Sequence, residues 1–262
     1  MKRLAALATL LPLACAAVAA TPPPALKLWR LDCGTFVTRG FTDSCYLIRH
    51  GRDWMLWDAG LGAEMLHKPT VRNSGSVAVL DHTLPEQLAE LGLKPDDVSI
   101  LGLSHIHYDH VGQAAAFPTA RLVLGEQDWA RITAMPPAPG LEPYRLAPWI
   151  SGGAPKQLVT GDHDVFGDGS VVMLALPGHT PGHHGLLVRL AKDGPLLLSG
   201  DLYDTERQYA AKEANPNEDD RQALLESFRR FDDLVRQFHA KVVIQHDPDD
   251  IAKLPPFPQP AS

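Results

Sequence analysis

Four side chains of metal-binding type crowd into six residues of this 262-residue chain: His105, His107, Asp109 and His110. They follow the apolar run Val98–Leu103, which is typical of a buried strand. In an extended segment, side chains two residues apart point the same way, so His105 and His107 can share one cation. Asp109 and His110 come as the chain turns and can face a second cation. Polar groups at the mouth of an apolar strand need solvation or a partner, so the cluster indicates a metal site and hydrolysis by a metal-bound hydroxide.

Further candidate ligands follow apolar runs later in the chain. Each stands at or just after the end of a predicted strand: His179, Asp201 and His246. A strand that ends in a polar ligand recurs four times along the chain. Because the carboxyl ends of strands commonly gather in one place, this recurrence predicts one shared site. One metal ion takes three or four protein ligands and two ions take roughly six or seven, so this set is sufficient for two.

The combined pattern resembles the metallo-β-lactamase-fold hydrolases over nearly the whole chain after residue 20. It comprises His-x-His-x-Asp-His at 105–110, Gly-His-Thr-Pro-Gly-His at 178–183, Ser-Gly-Asp at 199–201 and a late histidine. The resemblance implies an α/β fold of the αββα sandwich type, with two mixed sheets face to face and helices outside. Composition alone predicts only one α/β domain. The ligands that the resemblance implies are His105, His107 and His179 for the first metal, Asp109, His110 and His246 for the second, and Asp201 as the bridge.

Within that superfamily, four short segments resemble the N-acyl homoserine lactone lactonases: 31–34, 46–50, 200–203 and 244–247. Asp201 argues against the β-lactamases proper, which usually have Cys or Ser there. The resemblance implies a quorum-quenching hydrolase that opens a lactone ring with two divalent ions. Zinc is the expected metal, although manganese, iron or cobalt also fit nitrogen and oxygen ligands. The alternatives are an exported organophosphate triesterase, a β-lactamase-like hydrolase, and a non-catalytic binding module, which typically loses a ligand or the aspartate at position 109.

Two catalytic roles are expected besides metal binding. Asp109 can take a proton and hand it to the leaving group. Tyr203 is the best candidate oxyanion donor in the sequence, and the alternative is a tyrosine of the core. The best-known lactonases have their tyrosine three residues after the bridging aspartate, where this chain has Asp204. Asp58 either orients a ligand histidine or caps a turn, and His183 is expected to hydrogen-bond behind the ligands.

The charge of the chain argues against polyanionic partners, and the expected partner is a small-molecule substrate. Its formal net charge is -7, and loss of residues 1–20 removes Lys2 and Arg3 to leave 22 basic and 31 acidic residues, or -9. A chain this acidic is a poor candidate for binding nucleic acid or an anionic membrane. The sequence sets no oligomeric state.

Residues 1–20 are predicted to be a secretory signal peptide. Lys2 and Arg3 precede an apolar stretch that is too short to span a bilayer comfortably, and small residues follow up to Ala20. Cleavage near Ala20 would leave residues 21–262 as a single domain in the periplasm or outside the cell. A retained anchor, or lipidation at Cys15, is the alternative.

The remaining pair of cysteines has two possible states. Cys33 and Cys45 flank a segment that can form a hairpin. An exported chain permits a disulfide if the Cα atoms lie within about 7 Å, and otherwise the pair is two buried thiols.

Several loops are predicted to wall a substrate groove. Residues 135–156 form a Pro- and Gly-rich insertion of the kind that makes a lid or a pocket wall, and the alternative is a solvent loop packed by a few aromatic residues. The side chains proposed for the walls are Phe41, Met65 and Leu66 on one side and Leu141, Tyr144 and Trp149 on the other.

Overall fold

Two β-sheets form the centre of the protein in a computed structural model that describes residues 25–72, 75–215 and 218–262. The predicted signal peptide therefore lies outside the described residues. The first sheet has eight strands in the order β4-β5-β1-β2-β3-β6-β7-β8. Their bounds are β1 (Leu26–Phe36), β2 (Phe41–His50), β3 (Asp53–Trp57), β4 (Thr70–Val71), β5 (Val77–Val79), β6 (Ile100–Gly102), β7 (Arg121–Gly125) and β8 (Lys156–Val159).

The second sheet has five strands in the order β13-β12-β11-β10-β9. It is antiparallel except where β13 runs parallel to β12, while β3, β6, β7 and β8 form a parallel block in the first sheet. Parallel neighbours bring several carboxyl ends to one edge of each sheet. The bounds of these strands are β9 (His163–Asp164), β10 (Val171–Ala175), β11 (His184–Leu190), β12 (Gly194–Leu198) and β13 (Lys241–Val243).

The described residues form six α-helices, most of which pack on the outer faces of the sheets. Thr83 forms a capping box at the start of the first of them, because Thr83 Oγ1 accepts from the amide of Glu86 and the Thr83 amide donates to the Glu86 carboxylate. The longest helix begins after Asp220, whose side chain accepts from two amides of the first turn. The bounds are α1 (Leu84–Glu90), α2 (Tyr108–Val111), α3 (Glu126–Ile132), α4 (Ala147–Ile150), α5 (Glu206–Ala211) and α6 (Arg221–Phe238). No helix of these ranges is long and apolar enough to cross a membrane.

Three apolar layers confirm the αββα sandwich. Between the sheets, Trp57 and Val123 of the first pack with Met173 and Leu198 of the second. Residues of α1, α3 and α4 pack on the outer face of the first sheet. Leucines and phenylalanines of α6, at the helical spacing seen in the sequence, pack on the outer face of the second.

The hairpin of β1 and β2 carries the disulfide. Cys33 and Cys45 are bonded, with Cα atoms 5.8 Å apart, and both side chains are fully buried. Of the two states that the sequence left open, the structure has the disulfide rather than two free thiols.

The insertion of residues 135–156 is anchored in the core by an aromatic side chain. Trp149 is buried in α4, and its indole N–H donates to the carbonyl of Ala120 at 2.9 Å. The Pro-rich end of the chain is also held, since Trp29 donates to the carbonyl of Pro258 and Ala261 pairs with Leu28.

Candidate metal centre

The four predicted strand ends meet at one edge of the sandwich. The segment 105–110 follows β6 and runs into α2, whereas His179 follows β10. Asp201 and His246 follow β12 and β13, which are parallel neighbours in the second sheet. All seven predicted ligands therefore come together, in two groups of side chains.

The first group consists of His105, His107, His179 and Asp201. His107 presents its Nδ1, which lies 2.9 Å from Nε2 of His105 and 3.0 Å from Nε2 of His179. Asp201 Oδ2 lies 3.5 Å from Nε2 of His179 and 3.8 Å from Nε2 of His105. Three ring nitrogens and one carboxylate oxygen thus converge on one point, which is the donor set of a four-coordinate cation.

The second group consists of Asp109, His110 and His246. Asp201 Oδ1 faces this group and lies 3.1 Å from Nε2 of both His110 and His246. Asp109 Oδ2 is 4.0 Å from Nε2 of His246. Since its two oxygens face different groups, Asp201 is placed to bridge two cations.

The residues present fit divalent metal ions. His110 Nε2 and Asp201 Oδ1 are buried, yet among the described residues neither has an aligned hydrogen-bond partner. Buried polar atoms without partners are costly, and cations between the two groups would satisfy them. Imidazole nitrogens with carboxylate oxygens suit zinc and neighbouring transition metals.

Burial prepares two rings of the first group, those of His105 and His107, for metal binding. Burial lowers the pKa of His105 and His107 well below the ordinary value, and the neighbouring histidines lower it further. Both rings therefore stay neutral and keep a lone pair for a metal. Burial also acts to lower the pKa of His110, but the Asp201 and Asp58 carboxylates outweigh it and raise that pKa well above its usual value.

Hydrogen bonds behind the ligands fix the orientation of four rings. Each ring uses the nitrogen that faces away from the cluster, which sets its tautomer. The contacts are Ser104 Oγ with His105 Nδ1 (3.0 Å), Asp58 Oδ2 with His110 Nδ1 (3.0 Å), Glu218 Oε2 with His179 Nδ1 (2.9 Å) and the Thr42 carbonyl with His246 Nδ1 (2.8 Å). His183 binds from behind as predicted, since its Nε2 accepts from the amide of Asp201 at 3.0 Å.

Asp58 orients a ligand histidine rather than only capping a turn. Its side chain is fully buried, and its Oδ1 accepts from the Ser104 amide at 2.7 Å. Its Oδ2 contacts His110 and accepts from the Gln245 amide group at 3.0 Å. The carboxylate therefore ties β3 to the segment that carries the ligands.

We expect Asp58→Asn to weaken binding at the second group by about 10- to 100-fold, as is usual when a partner behind a metal ligand is lost. The asparagine side chain has one acceptor oxygen, whereas the Asp58 carboxylate uses both of its oxygens for the Ser104 amide, the His110 ring and the Gln245 side chain. The measurement is competition with a chromophoric chelator. The matched control is Asp168→Asn, which removes a carboxylate–histidine contact of 2.7 Å with His50, remote from the ligands. Unchanged affinity in Asp58→Asn would contradict this role.

Two acidic residues that support the site were not identified from the sequence. Glu218 contacts His179 as described, and Asp128 is buried beneath the 178–183 loop. Asp128 accepts from Thr180 Oγ1 at 2.7 Å and from the Gly182 amide at 2.8 Å. Burial raises the pKa of Asp128 to about 6, although these two hydrogen bonds oppose the shift. Neither acid belongs to a local motif, so only the tertiary structure reveals it.

An open cavity of about 520 Å³ lies over the two groups. Asp109, His107, His179, Asp201 and His246 reach it from the metal centre. Apolar side chains alternate with charged ones on the remaining walls, which include Phe36, Phe41, Pro139, Leu141, Arg39, Arg72, Tyr108, Arg131, Asp204, Asn215 and Glu218.

The predicted groove walls are right in part. Phe41 and Leu141 do line the cavity. Met65 is buried in a small apolar cluster, and Trp149 belongs to the core. Tyr144 is 60% exposed and donates to Glu142 instead of facing the cavity. Residues 139–141 of the insertion thus form part of the cavity wall, whereas Trp149 of the same insertion lies in the core.

The prediction that Tyr203 is an oxyanion donor is not supported by its position. The side chain is 1% exposed and stacks on Phe228 of α6 with ring centroids 4.4 Å apart. Its hydroxyl has no hydrogen-bond partner in the described parts of the chain, and the ring lies in the apolar layer outside the second sheet. The alternative reading, a tyrosine of the core, matches the structure.

We therefore expect Tyr203→Phe to leave kcat and KM of hydrolysis within about twofold of the wild type, because no hydrogen bond is lost. Steady-state kinetics on the purified protein checks this. A drop of 10-fold or more in kcat, with metal content intact, would restore Tyr203 to a catalytic role.

Sequence comparison places the chain in a family. Residues 38–246 match the metallo-beta-lactamase superfamily. The N-acyl homoserine lactonase AttM of Azorhizobium caulinodans is 28% identical over 226 residues, which cover 78% of this chain and 81% of that protein. An N-acyl homoserine lactonase of Bacillus sp. is 27% identical over 222 residues, covering 82% and 85%.

Solved structures share the fold. An N-acyl homoserine lactone hydrolase with the product N-hexanoyl-L-homoserine bound at its catalytic metal centre superposes with a TM-score of 0.76 at 19% identity, covering 92% of this chain and all of that one. AidC, a dizinc quorum-quenching lactonase, gives a TM-score of 0.64 at 17% identity, covering 87% and 90%. The matched residues span most of the chain and include all seven converging ligands, so this protein belongs to the metallo-beta-lactamase superfamily.

Proposed function

We propose that this metal-dependent hydrolase opens the ring of N-acyl homoserine lactones, using two divalent metal ions, with zinc preferred. The observation that carries the proposal is the pair of ligand groups sharing Asp201 at the base of a half-apolar cavity. The names of the relatives, N-acyl homoserine lactonases of several bacteria, support the substrate class. The fold-sharing hydrolase with a bound N-hexanoyl-L-homoserine supports it as well.

The cavity suits a neutral ring ester with an apolar tail. Phe36, Phe41 and Leu141 offer apolar surface for an acyl chain. Each buried methylene contributes up to about 0.8 kcal/mol, so longer chains should bind better until the apolar wall ends. The arginines of the wall are largely neutralised, since Arg72 pairs with Glu142 and Arg131 with Asp219.

His105, His107 and His179 would hold one cation, Asp109, His110 and His246 would hold another, and Asp201 would be shared by the two groups. Metal ions bound there would supply Lewis acidity for the ester carbonyl and lower the pKa of water. The protein's own contribution begins with orientation, because Ser104, Asp58, Glu218 and the Thr42 carbonyl hold the rings in place.

Asp109 is the residue placed to move a proton. Its carboxylate is 9% exposed, belongs to the second ligand group and reaches the cavity. As the oxygen of water bonds to the acyl carbon and the ring carbon–oxygen bond breaks, Asp109 takes the proton from water. It returns the proton to the departing alkoxide, which becomes the hydroxyl of the product.

A hydrolysis panel on one purified, metal-loaded sample tests the proposal. The panel contains an N-acyl homoserine lactone, a β-lactam and a phosphotriester, and acid release gives each rate. We expect the lactone to have the highest kcat/KM. Rapid hydrolysis of the phosphotriester with no opening of the lactone would overturn the proposal and support the organophosphate triesterase that the sequence left as the alternative.

We also propose export to the periplasm or the exterior, based on the composition of residues 1–20. The disulfide between Cys33 and Cys45 is compatible with an oxidising compartment. Mass spectrometry of the protein from its native host should show an N-terminus near Thr21. Recovery of the full-length chain from the cytoplasm would contradict export.

A further inference from the structure

One wall of the cavity carries a carboxylate, Asp204, which stands outside both metal-ligand groups. It follows the turn that presents Asp201 and comes just before α5. The Asp204 amide donates to Gln208 Oε1 at 2.7 Å, and Asn215 Nδ2 donates to Asp204 Oδ2 at 3.0 Å. Gln208 Nε2 in turn donates to Asn215 Oδ1 at 2.7 Å. This closed ring of hydrogen bonds among three residues, Asp204, Gln208 and Asn215, holds the carboxylate in one orientation.

The other oxygen of Asp204 has no such partner. Among the described residues, no hydrogen bond or ion pair reaches Oδ1, and the side chain is half-buried beside the cavity. Of the three arginines that line the cavity, Arg72 pairs with Glu142 and Arg131 with Asp219, and Arg39 lies over the Phe41 ring. Burial and the nearby Asp201 carboxylate raise the pKa of Asp204, although the hydrogen bond from Asn215 opposes the shift. The wall therefore presents a fixed acceptor that lacks a donor.

We propose that Asp204 is a specificity-determining residue that accepts the amide N–H of an N-acyl homoserine lactone through Oδ1. The inference rests on the proposed function, and it names the amide N–H as the feature of the substrate that the site recognises. A lactone ring offers only acceptors, and the amide N–H is the one donor of a substrate with an unsubstituted acyl chain. An acceptor-only carboxylate complements that donor and discriminates against lactones without it, because it would then stay unpaired in the cavity.

The neighbouring polar groups are less suited to this role. Glu218 is committed to His179 at 2.9 Å, and Asn215 uses both ends of its amide within the ring of hydrogen bonds. Asp109 and Asp201 belong to the metal-ligand groups. Asp204 is thus the cavity carboxylate left to contact a part of the substrate away from the reacting ester.

The test uses two substrates and the variant Asp204→Asn. The first substrate is N-hexanoyl homoserine lactone, and the second is α-heptyl-γ-butyrolactone, in which methylenes replace the amide group. In Asp204→Asn, the donor of Asn215 keeps the remaining oxygen, so the new NH₂ group faces the cavity and meets the substrate N–H donor to donor. We expect the ratio of kcat/KM for the amide substrate over the amide-free substrate to fall by 10-fold or more, as for loss of a hydrogen bond to a charged group.

The controls separate this role from a structural one. Asp162→Asn removes an exposed carboxylate paired with Arg230 and should leave the ratio unchanged. Asp204→Ser, which also removes the charged acceptor, should reproduce the fall if Asp204→Asn fails to fold. An equal loss on both substrates, with bound metal intact, would overturn the inference and leave the lactonase proposal standing. A wild-type enzyme that opens neither lactone would contradict both this inference and the lactonase proposal.

Discussion

Asp109→Asn is expected to lower kcat for lactone opening by about 100-fold or more, the usual cost of a lost proton-transfer group. Asparagine keeps an oxygen that can contact a metal, but it cannot take a proton from water and return it to the leaving alkoxide. Asp109 is suited to that transfer because it belongs to the second ligand group and its side chain also lines the cavity.

Single-turnover kinetics with parallel elemental analysis measures this effect. The matched control is Asp96→Asn, an exposed carboxylate in a surface turn, for which kcat should not change. A variant at position 109 that retains both ions and also retains kcat within about threefold would show that another group moves the proton.

Asp201→Ala is expected to lose at least one of two metal ions per chain and, with it, nearly all hydrolysis. Asp201 is the residue that contacts both groups, with Oδ1 3.1 Å from the rings of His110 and His246 and Oδ2 3.5 Å from that of His179. Its removal leaves the second group with three ligands and without the bridge, and the first group with three histidines alone.

Elemental analysis after dialysis reports the ions retained by each variant. Asp204→Ala is the matched control, because it removes a carboxylate of the same cavity that belongs to neither ligand group and should keep both ions. Two ions per chain in Asp201→Ala would contradict the bridging role.

The convergence of the seven ligands could be predicted from the sequence because the motifs that indicate it are local. A run such as His-x-His-x-Asp-His has a spacing that chain geometry alone makes suitable for cations, and apolar runs identify the strands that end in ligands. The capping box at Thr83 and the apolar spacing within α6 are equally local, and both elements appear where the pattern puts them.

The partners of these ligands could not be predicted, because they depend on tertiary contacts. Glu218 lies 39 residues from His179, and Asp128 lies 52 residues from Thr180. No periodicity links such pairs. The same holds for Trp149, whose place in the core rests on a hydrogen bond to a residue 29 positions away.

The position of Tyr203 in the core has a geometric cause. A short 3-10 turn over Gly200–Leu202 presents Asp201 to the metal centre, and the backbone becomes extended at Tyr203, with φ of -145° and ψ of 137°. Successive side chains of an extended backbone point to opposite sides. Tyr203 accordingly packs against α6, whereas the next residue, Asp204, lines the cavity. Sequence distance from Asp201 does not reveal which of the two faces the substrate.

The central claim, that two metal ions at these ligands open a lactone ring, is tested most directly by titrating metal-stripped enzyme with zinc. The initial rate of acid release from an N-acyl homoserine lactone is followed at each addition. We predict that the rate rises until two equivalents per chain are bound and is then constant. A maximum at one equivalent, or no ring opening at any metal content, would contradict the account.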